Sequence, residues 1–545
     1  MTYLLQEEFG GLAPKIDGRK LAPSMALIAE NCLFENKNLR PLRYPSSKGV
    51  SLATNTKTVY PYLGAWLQFS ERVSVAPGPI ANDTYDRIYY TDSLYPKVKS
   101  GAGEWRLGIP RPASGPTIDP LAEPIVEDAD NLLDVETVYY VVTLIDAFGA
   151  EGPPSVPSLG MTRLRNQELT VNMPSTPTGA YNFGPGSKWR VYRSNTGTGD
   201  TAFQFVTDLD LATPSFNDTV KNDELQEILP SATWLGPPDD NSGLWPDGPL
   251  QGITLGPNGV MAGFANKTIY FSEPYLPHAW PVEYQISIKH KILGIVWLAG
   301  GLLVVTKGMP VIIAGSHPAS MTQFIPERGY PCNSADSLVD MGGWAMYSSL
   351  DGLVAVDGTK FTLVTEELIT NNQWQNIVPG NSLAGNSEGR YVLFWETTDQ
   401  LLRGTLIFDP GEGVNAMTTS TLHSDVAYTD PSTSRLLVRD DNDDLATWDW
   451  GANMTATWKS KSHVLSQETN FAYLELVANE YPVNVTLYAG MNSYNAGLTT
   501  VFNASVTGRY TALPSGFEYD TWEIKVSDNK DVVKVGLYED MAEVG

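Results

Sequence analysis

Between residues 252 and 450, short apolar segments alternate with turns rich in Gly, Asp and Asn, and this unit recurs about five times. The copies cover residues 260–272, 295–314, 344–364, 382–408 and 426–450. Their first turns lie at 266, 300, 351, 388 and 432, so the spacing is about 34 to 51 residues. No helical pattern separates the apolar segments. Paired strands repeated at this spacing predict the blades of a β-propeller.

The turn residues support this interpretation. Asp351-Gly352 and Asp357-Gly358 each separate two apolar segments, and Asn266 does the same in the first copy. Tight hairpins need residues that tolerate positive φ, which Gly and Asn adopt at low cost. The segments are therefore predicted to form antiparallel hairpins.

The flanking sequence divides into four further regions. Residues 1–60 are interpreted as an extended arm with one short helix at 25–32, opened by Ser24 after Pro23. Residues 61–115 predict first propeller strands, as a blade or as the strand that closes the ring. Region 116–236 has longer alternating strands and a Gly/Pro loop, and it resembles a fibronectin type III β-sandwich inserted in the chain. The main propeller spans 250–452, and 453–545 predicts a C-terminal β-sandwich, so the fold class is all-β.

Charge narrows the possible partners. The chain has 545 residues, with 62 acidic against 36 basic side chains and a formal net charge of −26. A sequence-reading grip on DNA or RNA is disfavoured, because phosphate contacts require Lys and Arg. A surface that nucleic acid passes without binding fits this charge. Glu7 and Glu8 argue against a secretory signal, and the apolar stretch 292–306 is too short to span a bilayer, so no transmembrane segment is expected.

One acidic run is a candidate metal site. Its carboxylates are Asp440, Asp441, Asp443 and Asp444, with Asn442 between them. Calcium prefers oxygen ligands, but the run lacks the Gly and the later bidentate Glu of the calcium-loop template. An exposed hairpin turn is the favoured interpretation, with calcium binding and an acidic channel rim as alternatives.

No catalytic residue, cofactor site or other metal site is predicted. The five histidines are scattered, and Cys32 and Cys332 are expected to be buried apolar residues. The turn at residues 349–352 departs from the sialidase Asp-box and is interpreted as a blade turn. A paired-carboxylate glycosidase site stays open, because the spatial separation of carboxylates is not visible in the sequence.

Two surface features have alternative interpretations. Core or interface packing is favoured over glycan stacking for the aromatic group Tyr270, Tyr275, Trp280 and Tyr284. The compact basic patch Lys289, His290 and Lys291 is either a solvated turn or a contact with an acidic neighbour. Neither feature identifies a function.

Four segments, 18–45, 256–281, 347–358 and 513–528, resemble bacteriophage tail structural proteins, and the domain order is similar to the tail nozzle family of short-tailed phages. This resemblance implies a homo-oligomeric ring, typically six copies, located in the virion after synthesis in the host cytoplasm. Its implied partners are portal and adaptor proteins above and tail fibres or spikes around it, with phage DNA passing through.

The first functional hypothesis is therefore a non-enzymatic nozzle that forms the channel for DNA ejection. The alternatives are a receptor-binding or tail-tip protein that recognises host glycans, and a glycan hydrolase built on the propeller. Blade count, oligomeric state and channel-lining residues stay open at this point.

Overall fold

The computed structural model describes residues 3–121, 135–196, 201–378, 381–397, 401–491 and 497–540. This part of the chain consists almost entirely of β-strands and contains one α-helix, Asn371–Ile377. The predicted all-β class is confirmed. Short 3-10 helices occupy Asn222–Glu224, Pro257–Gly259, Pro318–Ser320, Ala335–Ser337 and Pro410–Asn415.

The chain forms two compact units. Unit 1 contains Met1–Arg72, Val296–Ile313 and Gln323–Gly545, and unit 2 contains Val73–Ile295 and Ala314–Thr322.

Unit 1 contains three four-stranded antiparallel arrays built from hairpins, which is the arrangement of propeller blades. The first array has the strands Val339–Asp340, Ala345–Ser348, Leu353–Asp357 and Lys360–Leu363. The second has Ser382–Ser387, Arg390–Glu396, Arg403–Phe408 and Met417–Ser420. The third has Ala427–Asp430, Arg435–Arg439, Asp444–Thr447 and Ser46–Ser51. The predicted turn residues lie at the turns, with positive φ at Gly352 and Glu388.

The third array is completed from the other end of the sequence. Strand Ser46–Ser51 pairs antiparallel with Asp444–Thr447, with Leu445 opposite Val50. A separate hairpin follows, formed by Thr58–Tyr62 and Ala65–Phe69. The first residues of the chain therefore belong to the folded body of unit 1 and do not form a separate arm.

The predicted helix at 25–32 is wrong, because this segment forms the strands Ala26–Glu30 and Cys32–Glu35. Ala26–Glu30 pairs antiparallel with Ala456–Ser460, and Glu30 pairs with Thr419 on its other side. The buried methyl groups of Ala26 and Ala29 pack in the same core as Trp458. Pairing with two distant strands satisfies the backbone of this segment, and it outweighs the local capping signal of Ser24.

Two sheets share the core of the predicted C-terminal sandwich. Strands from both chain ends form the six-stranded sheet, namely Tyr3–Gln6, Cys32–Glu35, Asn38–Pro41, Tyr473–Ala478, Tyr510–Ala512 and Val532–Tyr538. A ten-stranded sheet joins the second array through Ala26–Glu30 to Ala456–Ser460, His463–Thr469, Val483–Gly490, Thr499–Val506 and Tyr519–Asp528. Strands from both ends of the chain thus build these two sheets.

Unit 2 contains two four-stranded antiparallel sheets. One has the strands Ser74–Pro77, Ile88–Thr91, Lys97–Ser100 and Gly103–Arg106, and the other has Gln251–Leu255, Met261–Ala265, Thr268–Phe271 and Gln285–Ser287. A further four-stranded sheet has the strands Ile292–Leu298, Gly301–Thr306, Val311–Ala314 and Thr322–Phe324. These sheets continue the hairpin pattern that the sequence predicts.

The segment of the chain between the two sheets of unit 2 forms a group of strands with its own apolar core around Trp189 and Val191. The strands form sheets of three, two and three members: Thr117–Ile118, Leu169–Asn172 and Ser215–Asp218; Val135–Val138 and Met161–Leu164; Tyr140–Ile145, Lys188–Thr196 and Thr201–Asp210. The assignment of this region to the fibronectin type III class stays a prediction.

The helix Asn371–Ile377 lies between the first and second arrays of unit 1, where no helix is predicted. Its N-cap is Thr370, whose hydroxyl accepts a hydrogen bond from the Gln373 N–H, while the Gln373 side chain bonds back to Thr370. The spacing of Thr370 and Gln373 in the sequence is that of a capping box and could have predicted this helix start. The buried Trp374 fixes the helix by donating its indole N–H to Ser349 O at 2.9 Å.

Substitution of Trp458 tests how the N-terminal segment packs in unit 1. Its fully buried indole donates a hydrogen bond to Gly10 O at 3.0 Å and meets the Phe9 ring edge-on at 4.8 Å. Trp458→Phe leaves a cavity and an unpaired carbonyl, so we expect the free energy of unfolding of unit 1 to fall by about 2 to 4 kcal/mol in urea titrations. Trp450→Phe, at a half-exposed tryptophan, should change it by less than about 1 kcal/mol. Equal effects would contradict this packing.

Candidate functional site

Three adjoining cavities form a polar cleft in unit 1. The Arg72 cavity, lined by Arg72 and Asp336, has a volume of about 340 Å³. The central cavity, lined by Arg403 and Asp443, has about 420 Å³, and the Tyr44 cavity has about 180 Å³. The Arg72 and central cavities share five lining residues, which are Lys57, Glu396, His423, Ser424 and Asp425.

These shared residues come from connections between hairpins. Glu396 ends strand Arg390–Glu396, and Lys57 immediately precedes strand Thr58–Tyr62. Residues 423–425 link the second array to the third. The Ser424 hydroxyl donates to Val426 O at 2.8 Å and accepts the Arg439 N–H at 2.9 Å, which fixes the link against a neighbouring strand. The backbone thus holds His423 and Asp425 in place.

Asp425 is the most strongly held carboxylate of the cleft. It accepts hydrogen bonds from Lys57 Nζ and Arg439 Nε, both at 2.8 Å. Burial by itself raises the pKa of Asp425, but the hydrogen bond from Lys57 and the charge of Arg439 outweigh it and hold the pKa below its ordinary value. Asp425 is therefore an anion throughout the neutral pH range.

Glu396 lies beside an imidazole. His423 Nε2 is 3.7 Å from Glu396 Oε2, and the imidazole ring packs edge-on against Phe394. Burial lowers the pKa of His423, although the Glu396 charge acts in the opposite direction. His423 is therefore neutral at pH 7, and Arg403, which also lines the central cavity, lies directly opposite Glu396 on the neighbouring strand. The cleft thus contains two carboxyl groups in different surroundings.

The acidic run forms the turn between strands Arg435–Arg439 and Asp444–Thr447. Asp440 accepts two backbone N–H groups, Asp443 pairs with Arg439, and Asp444 accepts the hydroxyls of Ser47 and Ser51. Asp440 and Asp441 line the Tyr44 and central cavities. Within the described ranges, no group of three or more His, Cys, Asp or Glu is arranged to hold a metal ion. Calcium binding by Asp440, Asp441, Asp443 and Asp444 stays a prediction.

The predicted aromatic group separates in the structure. Tyr270 and Trp280 are buried, and the Trp280 indole donates to Pro277 O at 2.8 Å. The Tyr284 ring meets His317 edge-on, while Tyr275 is 53% exposed. The four residues do not form one stacking face.

The other predicted features lie away from the cleft. Cys32 and Cys332 are free and buried, as expected, and burial raises the pKa of Cys332 to about 12. Lys289 and Lys291 of the basic patch are exposed. The turn at residues 349–352 is closed by the Ser349 hydroxyl, which donates to Gly352 O at 2.8 Å and confirms the blade-turn interpretation.

Sequence reasoning did not assemble the cleft. Glu396 and Asp425 were not singled out, and His423 entered only as one of five scattered histidines. The two cations that bond to Asp425, Lys57 and Arg439, come from segments of unit 1 that are far apart in sequence. No motif joins segments this far apart, so only the folded chain reveals the group.

Unit 2 contains a separate small cavity of about 20 Å³, bordered by Asp146, His278 and Arg87. Asp146 accepts the backbone N–H groups of Phe148 and Ala150, each at 2.9 Å. Burial raises the pKa of Asp146 to about 6 and lowers that of His278 to about 4. The cavity is large enough for about one water molecule and too small for an organic substrate.

No family model and no curated protein sequence matches this chain. Among solved structures, it is similar to a protein named glycoside hydrolase, with 12% identity, 80% of this chain and 99% of the other covered, and a TM-score of 0.16. An exo-β-1,3-galactanase from Phanerochaete chrysosporium matches with 10% identity, 90% and 99% coverage and a TM-score of 0.16. The extracellular domain of a hybrid two-component system from B. thetaiotaomicron matches with 9% identity, 88% and 47% coverage and a TM-score of 0.22.

These comparisons contradict the predicted non-enzymatic nozzle: two of the three proteins are named as glycoside-cleaving enzymes, and none of the three is named as a tail protein. The error has a physical reason. The hairpin turns and propeller-like sequence segments indicate how strands pair, and proteins of unrelated function share such pairing. The predicted partners and virion location stay predictions. Similarity this low carries no argument about what this chain binds or cleaves, so its own residues must supply the grounds for any activity. No helix in the described ranges has the length and apolarity to cross a membrane.

The partly buried Asp146 predicts an unusual pH dependence of stability. The folded protein binds the Asp146 proton more tightly than the unfolded chain, so the stability from this group is present below pH 4 and is lost as pH rises towards 6. Asp146→Asn mimics the neutral acid, and we expect its Tm to exceed that of the wild type by a few degrees at pH 7.5. This difference should vanish at pH 4, since the opposite contribution of His278 is present in both proteins.

Thermal melts followed by circular dichroism at both pH values provide the measurement. The exposed Asp223→Asn is the matched control and should leave Tm unchanged at either pH. A constant difference between Asp146→Asn and wild type across this range would contradict the raised pKa.

Proposed function

We propose that the protein binds an oligosaccharide in the cleft of unit 1 and hydrolyses one of its glycosidic bonds. The observation that carries this proposal is the pair Glu396 and Asp425, the two carboxyl groups that border both the Arg72 cavity and the central cavity. Glycosidic hydrolysis needs two carboxyl groups on either side of one bond, with different protonation states. The two cations beside Asp425 suit the ionised role.

The roles of Glu396 and Asp425 are assigned from the side chains that lie next to each of them. Asp425 is bonded to Lys57 and Arg439 and stays ionised, which suits stabilisation of positive charge on the sugar. Glu396 lies next to the neutral His423, and its side chain is 35% exposed, so it can meet a substrate oxygen. Glu396 is therefore assigned as the proton donor and Asp425 as the stabilising carboxylate.

The reaction can be written with these two groups and water. Glu396 transfers its proton to the glycosidic oxygen as the bond from that oxygen to the anomeric carbon breaks. The Asp425 carboxylate stabilises the positive charge that develops on the sugar ring. A water oxygen then attacks the anomeric carbon, and the water proton passes to the Glu396 carboxylate. One water molecule is consumed, and Glu396 is again protonated. His423 is a positioning residue for Glu396.

Substitution of the two carboxyl groups tests the proposal. The wild-type protein is incubated with soluble galactan, arabinoxylan and β-glucan, and new reducing ends are measured. We expect Glu396→Gln and Asp425→Asn to lower the rate by at least about a hundredfold, because each lacks its proton donor or its charge. The exposed Glu367→Gln, outside the cleft, should cleave like the wild type.

Thermal melts accompany the assay, since Asp425→Asn also removes the partner of two cations. Glu396→Gln breaks no charged hydrogen bond of the described structure and should melt like the wild type. A Glu396→Gln variant that cleaves at the wild-type rate would overturn the assignment, as would a wild type that binds these glycans and cleaves none of them.

A further inference from the structure

Tyr44 lies at the end of the cleft away from Arg72. It lines the Tyr44 cavity, and 49% of its surface is exposed. Its backbone is held on both sides: the Tyr44 N–H donates to Ala452 O, and the Gly451 N–H donates to Tyr44 O, each at 2.8 Å. The Tyr44 backbone is therefore fixed while its ring stays half exposed beside the cleft.

Gly451 makes this arrangement possible. A Cβ atom at this position would lie 2.7 Å from the Tyr44 carbonyl oxygen, closer than real Cβ contacts. Only glycine therefore lets the two backbone segments approach this closely. The position of Tyr44 next to the cleft is thus built into the chain by a close backbone contact.

The three cavities adjoin one another through shared lining residues. The Tyr44 cavity shares Leu422, His423, Arg439, Asp440 and Asp441 with the central cavity, whereas with the Arg72 cavity it has only His423 in common within the described residues. Glu396 and Asp425 lie at the junction of the Arg72 and central cavities. The cleft consequently continues in both directions from the proposed site of bond cleavage.

The end around Arg72 is polar. Arg72 pairs with Asp336 at 3.1 Å and donates to Asp425 O at 2.9 Å. Planar charged groups of this kind suit hydrogen bonds to sugar hydroxyls. The Tyr44 end adds an aromatic face, and an aromatic ring offers apolar contact to the C–H face of a sugar at low cost in side-chain entropy.

We infer that Tyr44 binds a sugar unit on one side of the cleaved bond, and that the substrate is a glycan chain of several units cut at internal bonds. This inference rests on the proposed function, because it deepens the role of the same cleft. An extended cleft with binding groups on both sides of the carboxyl pair accepts a chain that continues in both directions. A closed pocket would accept only a chain end.

Binding measurements test Tyr44 independently of cleavage. In the Glu396→Gln background, calorimetric titrations with hexasaccharides and disaccharides of galactan, xylan and β-glucan compare Tyr44→Ala with Tyr44→Phe. We expect Tyr44→Ala to weaken hexasaccharide binding about tenfold and to leave disaccharide binding nearly unchanged, because only the longer chain reaches the ring. Tyr44→Phe should retain affinity. Tyr275→Ala, at a half-exposed tyrosine of unit 2, is the control.

The products of the wild type give the second readout. Chromatography of early digests should show oligosaccharides of several lengths and almost no monosaccharide. Monosaccharides as the first product, or a Tyr44→Ala variant that binds hexasaccharide like its parent, would overturn the inference. Failure of the proposed function has a different result from failure of this inference. If the proposed function is wrong, Glu396→Gln cleaves fully or the wild type does not cleave. Neither result depends on how Tyr44→Ala changes binding.

Discussion

Unit 1 depends on the pairing of one early strand, Ala26–Glu30, on both of its edges. One edge is hydrogen-bonded to Ala456–Ser460 and the other meets Met417–Ser420, so this strand joins the second array to the C-terminal sandwich in one ten-stranded sheet. Buried backbone groups must be paired, and an open edge at this position would leave two rows of them without partners. The first residues of the chain therefore complete a sheet whose other strands are synthesised hundreds of residues later.

The same principle produces the cleft. Strand Ser46–Ser51 completes the third array, and the chain then continues to Lys57 and Arg72, which both border the Asp425 region. Arg439 of that array also donates to the Thr56 carbonyl at 2.7 Å. Strand pairing between distant segments thus positions the cations that bond to Asp425. Propeller-like sheets commonly carry their functional groups on such connections, because the strands provide a rigid base.

The two carboxyl groups of the cleft have different charged neighbours. Asp425 is bonded to two cations, whereas Glu396 lies beside a neutral imidazole and opposite Arg403, although both belong to a chain with a large excess of acid. Net charge therefore says little about the chemistry of one site. Asp146 in unit 2 illustrates the same point from the other direction, since burial alone raises its pKa to about 6 without forming an open binding site.

The sequence by itself determined the hairpins: the turns at Asn266, Asp351 and Glu388 lie where the pattern predicts them, because φ requirements and alternating apolar residues act locally. It misjudged residues 25–32, where pairing with two remote strands decides the conformation, and it overlooked the capping box of Thr370. Only the tertiary structure decided which carboxyl groups meet. Glu396, Asp425 and Lys57 are brought together by strand pairing over long sequence separations, and such pairing depends on the whole folded chain rather than on any local pattern.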